Sequence, residues 1–193
     1  MSNVLITGCS SGFGLLTAQT FARRGDQVFA TVRDVSTAGA LRQVRDAEKL
    51  PITILQLDVR DTASIHSAVS AALDGGPISV LVNNAGYAYR AAVEEIDDDE
   101  LLQQFDINVF GIVRLVRAVA PAMRAQGSGT IVNVSSIVSA AALPFGGAYS
   151  ASKAAVNLLS EALHYELAPF GVRVAVVEPG PYPTTRFLPN SVL

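Results

Sequence analysis

Short runs of β-branched and aliphatic residues alternate along this chain with longer stretches in which apolar positions recur every three to four residues. The runs Val4 to Thr7, Gln27 to Val32, Ile52 to Leu57, Ile78 to Val82, Thr130 to Val134 and Arg173 to Val177 predict six strands. Most are nearly continuous apolar runs, as strands are when helices cover both faces of a sheet. Strand and helix in alternation build βαβ units, so the pattern predicts an α/β fold with a doubly wound parallel sheet.

The stretches between the strands carry helix start and stop signals. Asp61 and Asp97 stand at N-cap positions, and Glu100 follows Asp97 by three residues as in a capping box. Gly25, Gly127 and Gly171 follow helical stretches where a left-handed residue is wanted. The periodicity predicts one long helix from about Asp98 to Gln126, kinked or ended early at Pro121, and another from Tyr149 to about Pro169. The acidic run Asp97 to Glu100 reads as a helix N-terminus meeting its dipole, with a cation site as the alternative.

Composition narrows the class. The chain has 193 residues, half of them apolar and 16% charged. A chain of that length buries roughly two thirds to three quarters of its unfolded surface, so residues 1–193 are expected to form one domain. The net charge of −3 gives no reason to expect nucleic acid or an anionic membrane as partner. No apolar stretch reaches the ~18 residues needed to span a bilayer. The N-terminus carries no export signal, and the single cysteine, Cys9, fits a reducing cytoplasm, so a cytoplasmic protein is expected. Cys9 is a small residue in a glycine turn or, alternatively, a reactive thiol. His66, His164 and Cys9 are too scattered to suggest a zinc site, and no metal is expected.

The candidate chemistry begins at Thr7-Gly8-Cys9-Ser10-Ser11-Gly12-Phe13-Gly14, directly after the first strand and before an amphipathic helix. Glycines in that setting let backbone approach a pyrophosphate, whose charge is met by N–H groups at the helix N-terminus. The same letters spell a G-x-S-x-G nucleophile elbow at Gly8 to Gly12, with His164 as a conceivable base. A hydrolase of that type needs strands upstream, and only seven residues precede Gly8. After the second strand, an NAD site places an acidic residue where Val32 stands, followed here by Arg33. Arginine suits the 2′-phosphate of NADP in shape and charge; Asp34 keeps the NAD reading open.

Tyr149 and Lys153 are four residues apart at the start of a helix and share one face. A nearby ammonium favours the tyrosine's phenolate, which would make Tyr149 a usable general acid and base near neutral pH. Ser136 ends the fifth strand at the carboxyl edge, where open α/β sheets hold ligands, and can hydrogen-bond a substrate oxygen. Ser135 reads as a strand-end backbone partner. Asn108 is an amide able to hold a water or a backbone group near Lys153, or else a helix-packing residue.

With Asp58-Val59, Asn83-Asn84-Ala85-Gly86 and the Pro179-Gly180 turn, these motifs in this order resemble the short-chain dehydrogenase/reductase family over essentially the whole chain. The segments Ile6 to Gly12 and Ala30 to Asp34 look like its hydroxysteroid and retinol dehydrogenase branch. The resemblance implies a Rossmann-type fold and an oxidoreductase moving a hydride between NADP(H) and a hydrophobic carbonyl or alcohol. It implies a catalytic tetrad of Asn108, Ser136, Tyr149 and Lys153, with Lys153 also binding the nicotinamide ribose. It further implies that Gly8, Ser10, Ser11, Gly12, Phe13 and Gly14 cradle the cofactor, Ser11 and Arg33 meet the 2′-phosphate, and Asp58 and Val59 meet the adenine. Asn84, Ala85 and Gly86 would line the central region, and Pro179, Gly180 and Thr184 the nicotinamide end. A homodimer or homotetramer built on the helices carrying Asn108 and Tyr149 is implied as well.

Family members usually continue for several tens of residues past the Pro179-Gly180 turn, so the C-terminal segment that selects substrate is expected to be missing from this sequence. A polypeptide ending at Leu193 would then bind cofactor and turn substrate over poorly. An NADP(H)-binding sensor or partner subunit with little turnover is the alternative function.

Overall fold

The computed structural model describes residues 2–180. Six strands form one sheet: β1 (Asn3–Ile6), β2 (Gln27–Val32), β3 (Ile52–Gln56), β4 (Ile78–Asn83), β5 (Gly129–Val134) and β6 (Val172–Val177). Every pairing is parallel, and the order is β3-β2-β1-β4-β5-β6. The chain starts in the middle, builds outward to β3, then crosses back beside β1 to build the other half. That reversal opens a crevice at the carboxyl ends of β1 and β4, where a doubly wound sheet holds its ligand.

Six α-helices cover the two faces: α1 (Gly12–Arg23), α2 (Gly39–Glu48), α3 (Thr62–Asp74), α4 (Asp98–Phe105), α5 (Gly111–Gln126) and α6 (Gly147–Leu167). Successive strand residues point to opposite faces, so Val4 and Ile6 pack with Ala18, Ala22 and Leu41 of α1 and α2. Leu5 packs the other way, with Ile65, Leu115 and Met123 of α3 and α5. This explains the continuous apolar strands: both sides of each central strand are core. Asp61 and Asp97 cap α3 and α4, accepting from Ala63 N and Glu100 N at 2.8 Å each.

The long helix anticipated from Asp98 to Gln126 is interrupted, and not at Pro121. Residues Asp106–Phe110 form a π turn, in which the Gly111 N–H reaches back to the Asp106 carbonyl. Arg114 fastens the turn, donating to the Asp106 carboxylate at 2.6 Å and to the Val59 carbonyl at 3.2 Å. Gly111 then lies against Val59, where a Cβ would stand 2.8 Å from the valine Cβ. α5 continues through Pro121 to Gln126. Pro121 and the residue four before it, Arg117, are both exposed, so the hydrogen bond that proline removes lies where water replaces it.

Candidate active site

The loop between β1 and α1 is shaped by close approach. Gly8 adopts φ +72°. A Cβ at Gly14 would stand 2.2 Å from the Gly8 carbonyl oxygen, so only glycine lets the first turn of α1 rest on the loop. Ser11 caps α1 in an extended conformation without a side-chain hydrogen bond, and the first turn holds no acidic residue. A helix N-terminus of this kind favours an anion.

Thr7 and Asn84 brace the loop against the end of β4. Thr7 Oγ1 accepts from Asn84 N and Ala85 N, each at 3.0 Å. Asn84 Nδ2 donates to the carbonyls of Thr7 at 2.8 Å and Gly8 at 3.1 Å. The sequence put Thr7 at the end of a strand and the head of the glycine motif but not in this bracing role, because its partners lie 77 and 78 residues away.

The crevice has a volume of about 810 Å³. Its walls bring together Gly8, Ser10, Ser11, Gly12 and Phe13 from the loop, Arg33 and Asp34 after β2, and Asp58 and Val59 after β3. Asn84, Ala85 and Gly86 after β4, Ser136 after β5, Tyr149 and Lys153 on α6, and Pro179 and Gly180 after β6 complete them. Gly14 is buried beneath the loop. Asn108 is also off the wall, fully buried behind Gly86, where a Cβ would stand 3.1 Å from its Oδ1. Thr184 lies outside the described residues.

Tyr149 and Lys153 lie one turn apart on α6, with the ammonium 5.7 Å from the ring centre. Lys153 Nζ donates to the Val134 carbonyl at 2.7 Å. Burial holds the lysine down to about 8. Burial also pushes the Tyr149 hydroxyl upward, and a hydrogen bond with Ser136 draws it partly back. The expected lowering of Tyr149 by Lys153 is thus corrected: desolvation dominates both groups, and the ammonium is engaged with a backbone carbonyl.

The Asn108 side chain holds backbone and a hydroxyl. Its Nδ2 donates to the Tyr87 carbonyl at 2.9 Å and to Ser152 Oγ at 3.1 Å, and its Oδ1 accepts from Tyr87 N at 3.1 Å. Ser152 Oγ in turn donates to the Tyr149 carbonyl at 2.7 Å, so Asn108 reaches the Tyr149 turn through one hydroxyl. Ser152 was missed in the sequence, although its place three residues after Tyr149 was a usable signal. Ser135 is a backbone partner as read, donating to the Lys153 carbonyl at 3.2 Å.

Arg33 is exposed on the cleft wall. The Asp34 carboxylate accepts from Ser36 N at 2.8 Å and caps a short 3₁₀ turn; its hydrogen bonds to Ser36 hold it below the usual carboxylate range. Asp58 is paired with Arg60, whose Nη2 and Nε donate at 2.9 and 3.2 Å, and that pairing lowers its carboxyl.

Burial pushes the Cys9 thiol up to about 12, which removes the reactive-thiol reading. His66 and His164 are exposed and off the cleft wall, so Ser10 has no histidine base there. Among the described residues no group of His, Cys, Asp or Glu could hold a metal ion, and no helix is long and apolar enough to cross a membrane.

A short chain dehydrogenase family profile matches residues 2–190, and the chain belongs to that family. It is 42% identical over 183 residues to YusZ, an uncharacterized oxidoreductase of Bacillus subtilis, covering 94% of this chain and 65% of that protein. It is 40% identical over 187 residues to human 17-beta-hydroxysteroid dehydrogenase type 1, covering 94% of this chain and 57% of the relative. In structure it resembles a short-chain dehydrogenase from Streptomyces avermitilis, with a TM-score of 0.89 and 40% identity over 97% of this chain and 68% of that one. The chain thus spans 65% and 57% of the length of the two curated relatives.

The site fits the nicotinamide dinucleotide that this family fold implies. Gly8, Ser10, Ser11, Gly12 and Phe13 line the cleft, the helix that follows them carries no acidic residue in its first turn, and a lysine ammonium stands near Gly86 at the other end.

Proposed function

We propose that this protein moves a hydride between NADP(H) and a hydrophobic carbonyl or alcohol, with Tyr149 as proton donor and acceptor. The observation that carries this reading is the Ser136 hydrogen bond to Tyr149 on the wall of the glycine-loop cleft, one helical turn from Lys153. The chemistry supplied by the bound cofactor is hydride transfer at the substrate carbon.

The chain's own residues do the rest. Ser136 donates a hydrogen bond to the substrate oxygen as charge develops there. Tyr149, neutral through burial, gives its hydroxyl proton to that oxygen in reduction and takes one in oxidation. Lys153 holds the nicotinamide ribose, and Asn108 keeps the Tyr149 turn in register through Ser152. The loop from Gly8 to Gly14 cradles the pyrophosphate. Asp58 and Val59 take the adenine end, Asn84, Ala85 and Gly86 the centre, and Pro179, Gly180 and Thr184 the nicotinamide end.

Arg33 and Ser11 favour NADP over NAD. The Asp34 carboxylate, which would serve a ribose hydroxyl, caps its own turn instead. A hydrophobic substrate is supported by Ile137 and Leu143, which line the cleft while 50% and 65% exposed. The 17-beta-hydroxysteroid dehydrogenase among the relatives makes a steroid-sized ketone a reasonable first probe. A homodimer or homotetramer and a cytoplasmic location belong to the same reading.

The test is NADPH oxidation measured with a panel of hydrophobic ketones and aldehydes, repeated with NADH. Turnover that favours NADPH is expected. Absence of turnover with any carbonyl or alcohol and either cofactor overturns the proposal.

A further inference from the structure

Residues 84–92 follow β4 and form one flank of the cleft outside the six strands, with a single bridge residue at Tyr89. Extended backbone outside a sheet needs other partners for its N–H and carbonyl groups. Thr7 Oγ1 accepts from Asn84 N and Ala85 N, the Phe145 carbonyl accepts from Ala91 N at 3.1 Å, and two side-chain amides hold the backbone of Tyr87 and Tyr89 between them. Gln104, fully buried on α4, donates through Nε2 to the Tyr87 carbonyl at 2.7 Å and accepts from Tyr89 N through Oε1 at 2.8 Å. Asn108, one turn further on, holds the Tyr87 N–H and carbonyl. The Gln104 side chain thus imitates an adjacent strand, pairing with a carbonyl and an N–H two residues apart.

Neither atom of the Gln104 amide faces the cleft, yet the segment it holds does. Tyr87, Ala88 and Arg90 line the large crevice, and Tyr89 and Arg90 line a neighbouring pocket of about 450 Å³. Ala88 is buried between the two tyrosines in sequence. A slip of this segment by one residue would turn both tyrosines inward and reshape the flank.

We propose that Gln104 is a positioning residue that fixes the Tyr87–Tyr89 flank and thereby sets how bulky a carbonyl compound the cleft accepts. Its substrate part rests on the carbonyl and alcohol oxidoreductase reading above; its structural part does not.

The test compares the full chain with Gln104→Leu and Gln104→Glu by amide hydrogen exchange over residues 86–90, NADPH affinity, and KM for a small and a bulky ketone. Gln104→Leu is expected to speed exchange over 86–90 and raise KM for the bulky ketone by about tenfold each, the effect of leaving a buried N–H unpaired. NADPH affinity and exchange in α6 are expected to stay near the parent's. In Gln104→Glu the protonated carboxyl offers the same donor and acceptor as the amide, whereas the carboxylate repels the Tyr87 carbonyl. Exchange over 86–90 relative to the parent should therefore rise with pH. Unchanged exchange in Gln104→Leu overturns the proposal, as does loosening spread evenly over the sheet and α6. If Gln104→Leu does not fold, the pH dependence in Gln104→Glu decides, and its absence overturns the proposal. If exchange responds but the parent reduces no ketone, the positioning role stands and the carbonyl reading falls.

Discussion

Lys153 donates its ammonium to the Val134 carbonyl at 2.7 Å, fastening α6 to the end of β5 beside Tyr149. The ammonium lies where burial disfavours its charge, and that desolvation, rather than the hydrogen bond, costs stability at neutral pH. Burial holds this lysine at about 8 against 10.5 when unfolded. Between those values the unfolded chain binds more protons than the folded one, so stability rises with pH. In cofactor-free protein the gain from pH 8 to pH 10 relative to Lys153→Met is expected to be on the order of 2 kcal/mol. Tyr149, pushed above its ordinary 10.0, opposes the trend from about pH 10 upward, where the unfolded tyrosine ionises. Denaturant midpoints at the two pH values check this, and parallel midpoints for parent and variant would refute it.

Tyr149→Phe keeps the packed ring and removes the transferable proton. Turnover should fall below detection while NADPH affinity, read by fluorescence titration, changes by no more than about threefold. Near-normal turnover in this variant is incompatible with the proposed proton path.

Arg33→Asp exchanges a charge-assisted contact to the 2′-phosphate for a repulsion. NADPH binding should weaken by about 2 kcal/mol or more, with NADH binding little altered. Calorimetric titration with both cofactors decides, and a parent protein that already prefers NADH shows the assignment to be wrong.

Gly14→Ala sets a Cβ against the Gly8 carbonyl and the Asn84 amide that donates to it, so the loop or α1 must shift to admit it. Overpacking of this kind costs about 1–3 kcal/mol, and the shift of α1 should weaken NADPH binding as well. Thermal unfolding and titration together test this; a variant as stable and as tightly binding as the parent would contradict the loop geometry.

Leu102 and Phe110, on α4 and the π turn, and Leu158 and Tyr165, on α6, are 45–69% exposed. Apolar side chains so placed favour a partner surface. Light scattering at micromolar concentration should show a dimer or tetramer, and Leu158→Glu should shift it toward monomer. A parent that is monomeric throughout removes the homo-oligomer from the reading.

The strands, the helix caps at Asp61 and Asp97, and the glycine loop were legible because each rests on residues adjacent in sequence. The pairing of Tyr149 with Lys153 was legible for the same reason, since helical spacing alone brings them onto one face. The break in the long helix was not. Proline is the strongest local signal, and it pointed to position 121, but its lost hydrogen bond lies on an exposed face. The π turn at Asp106–Phe110 instead accompanies Arg114 contacts to Asp106 and Val59, and Val59 is 55 residues from that arginine.

The sequence by itself determined the order of elements, the parallel sheet and the set of polar residues at its carboxyl edge, all consequences of periodicity and of the backbone freedom of glycine. Only the tertiary structure decided what those polar residues do to one another. Asn83 donates to Asn133 across the sheet, and Asn133 to Ser160 of α6, contacts that span 50 and 27 residues. The ionisation of Tyr149 and Lys153 likewise depends on how deeply each is buried, and the hold of Gln104 on Tyr87 and Tyr89 depends on how α4 lies against the segment that follows β4. Desolvation and hydrogen bonding act through space, between groups that the sequence keeps far apart.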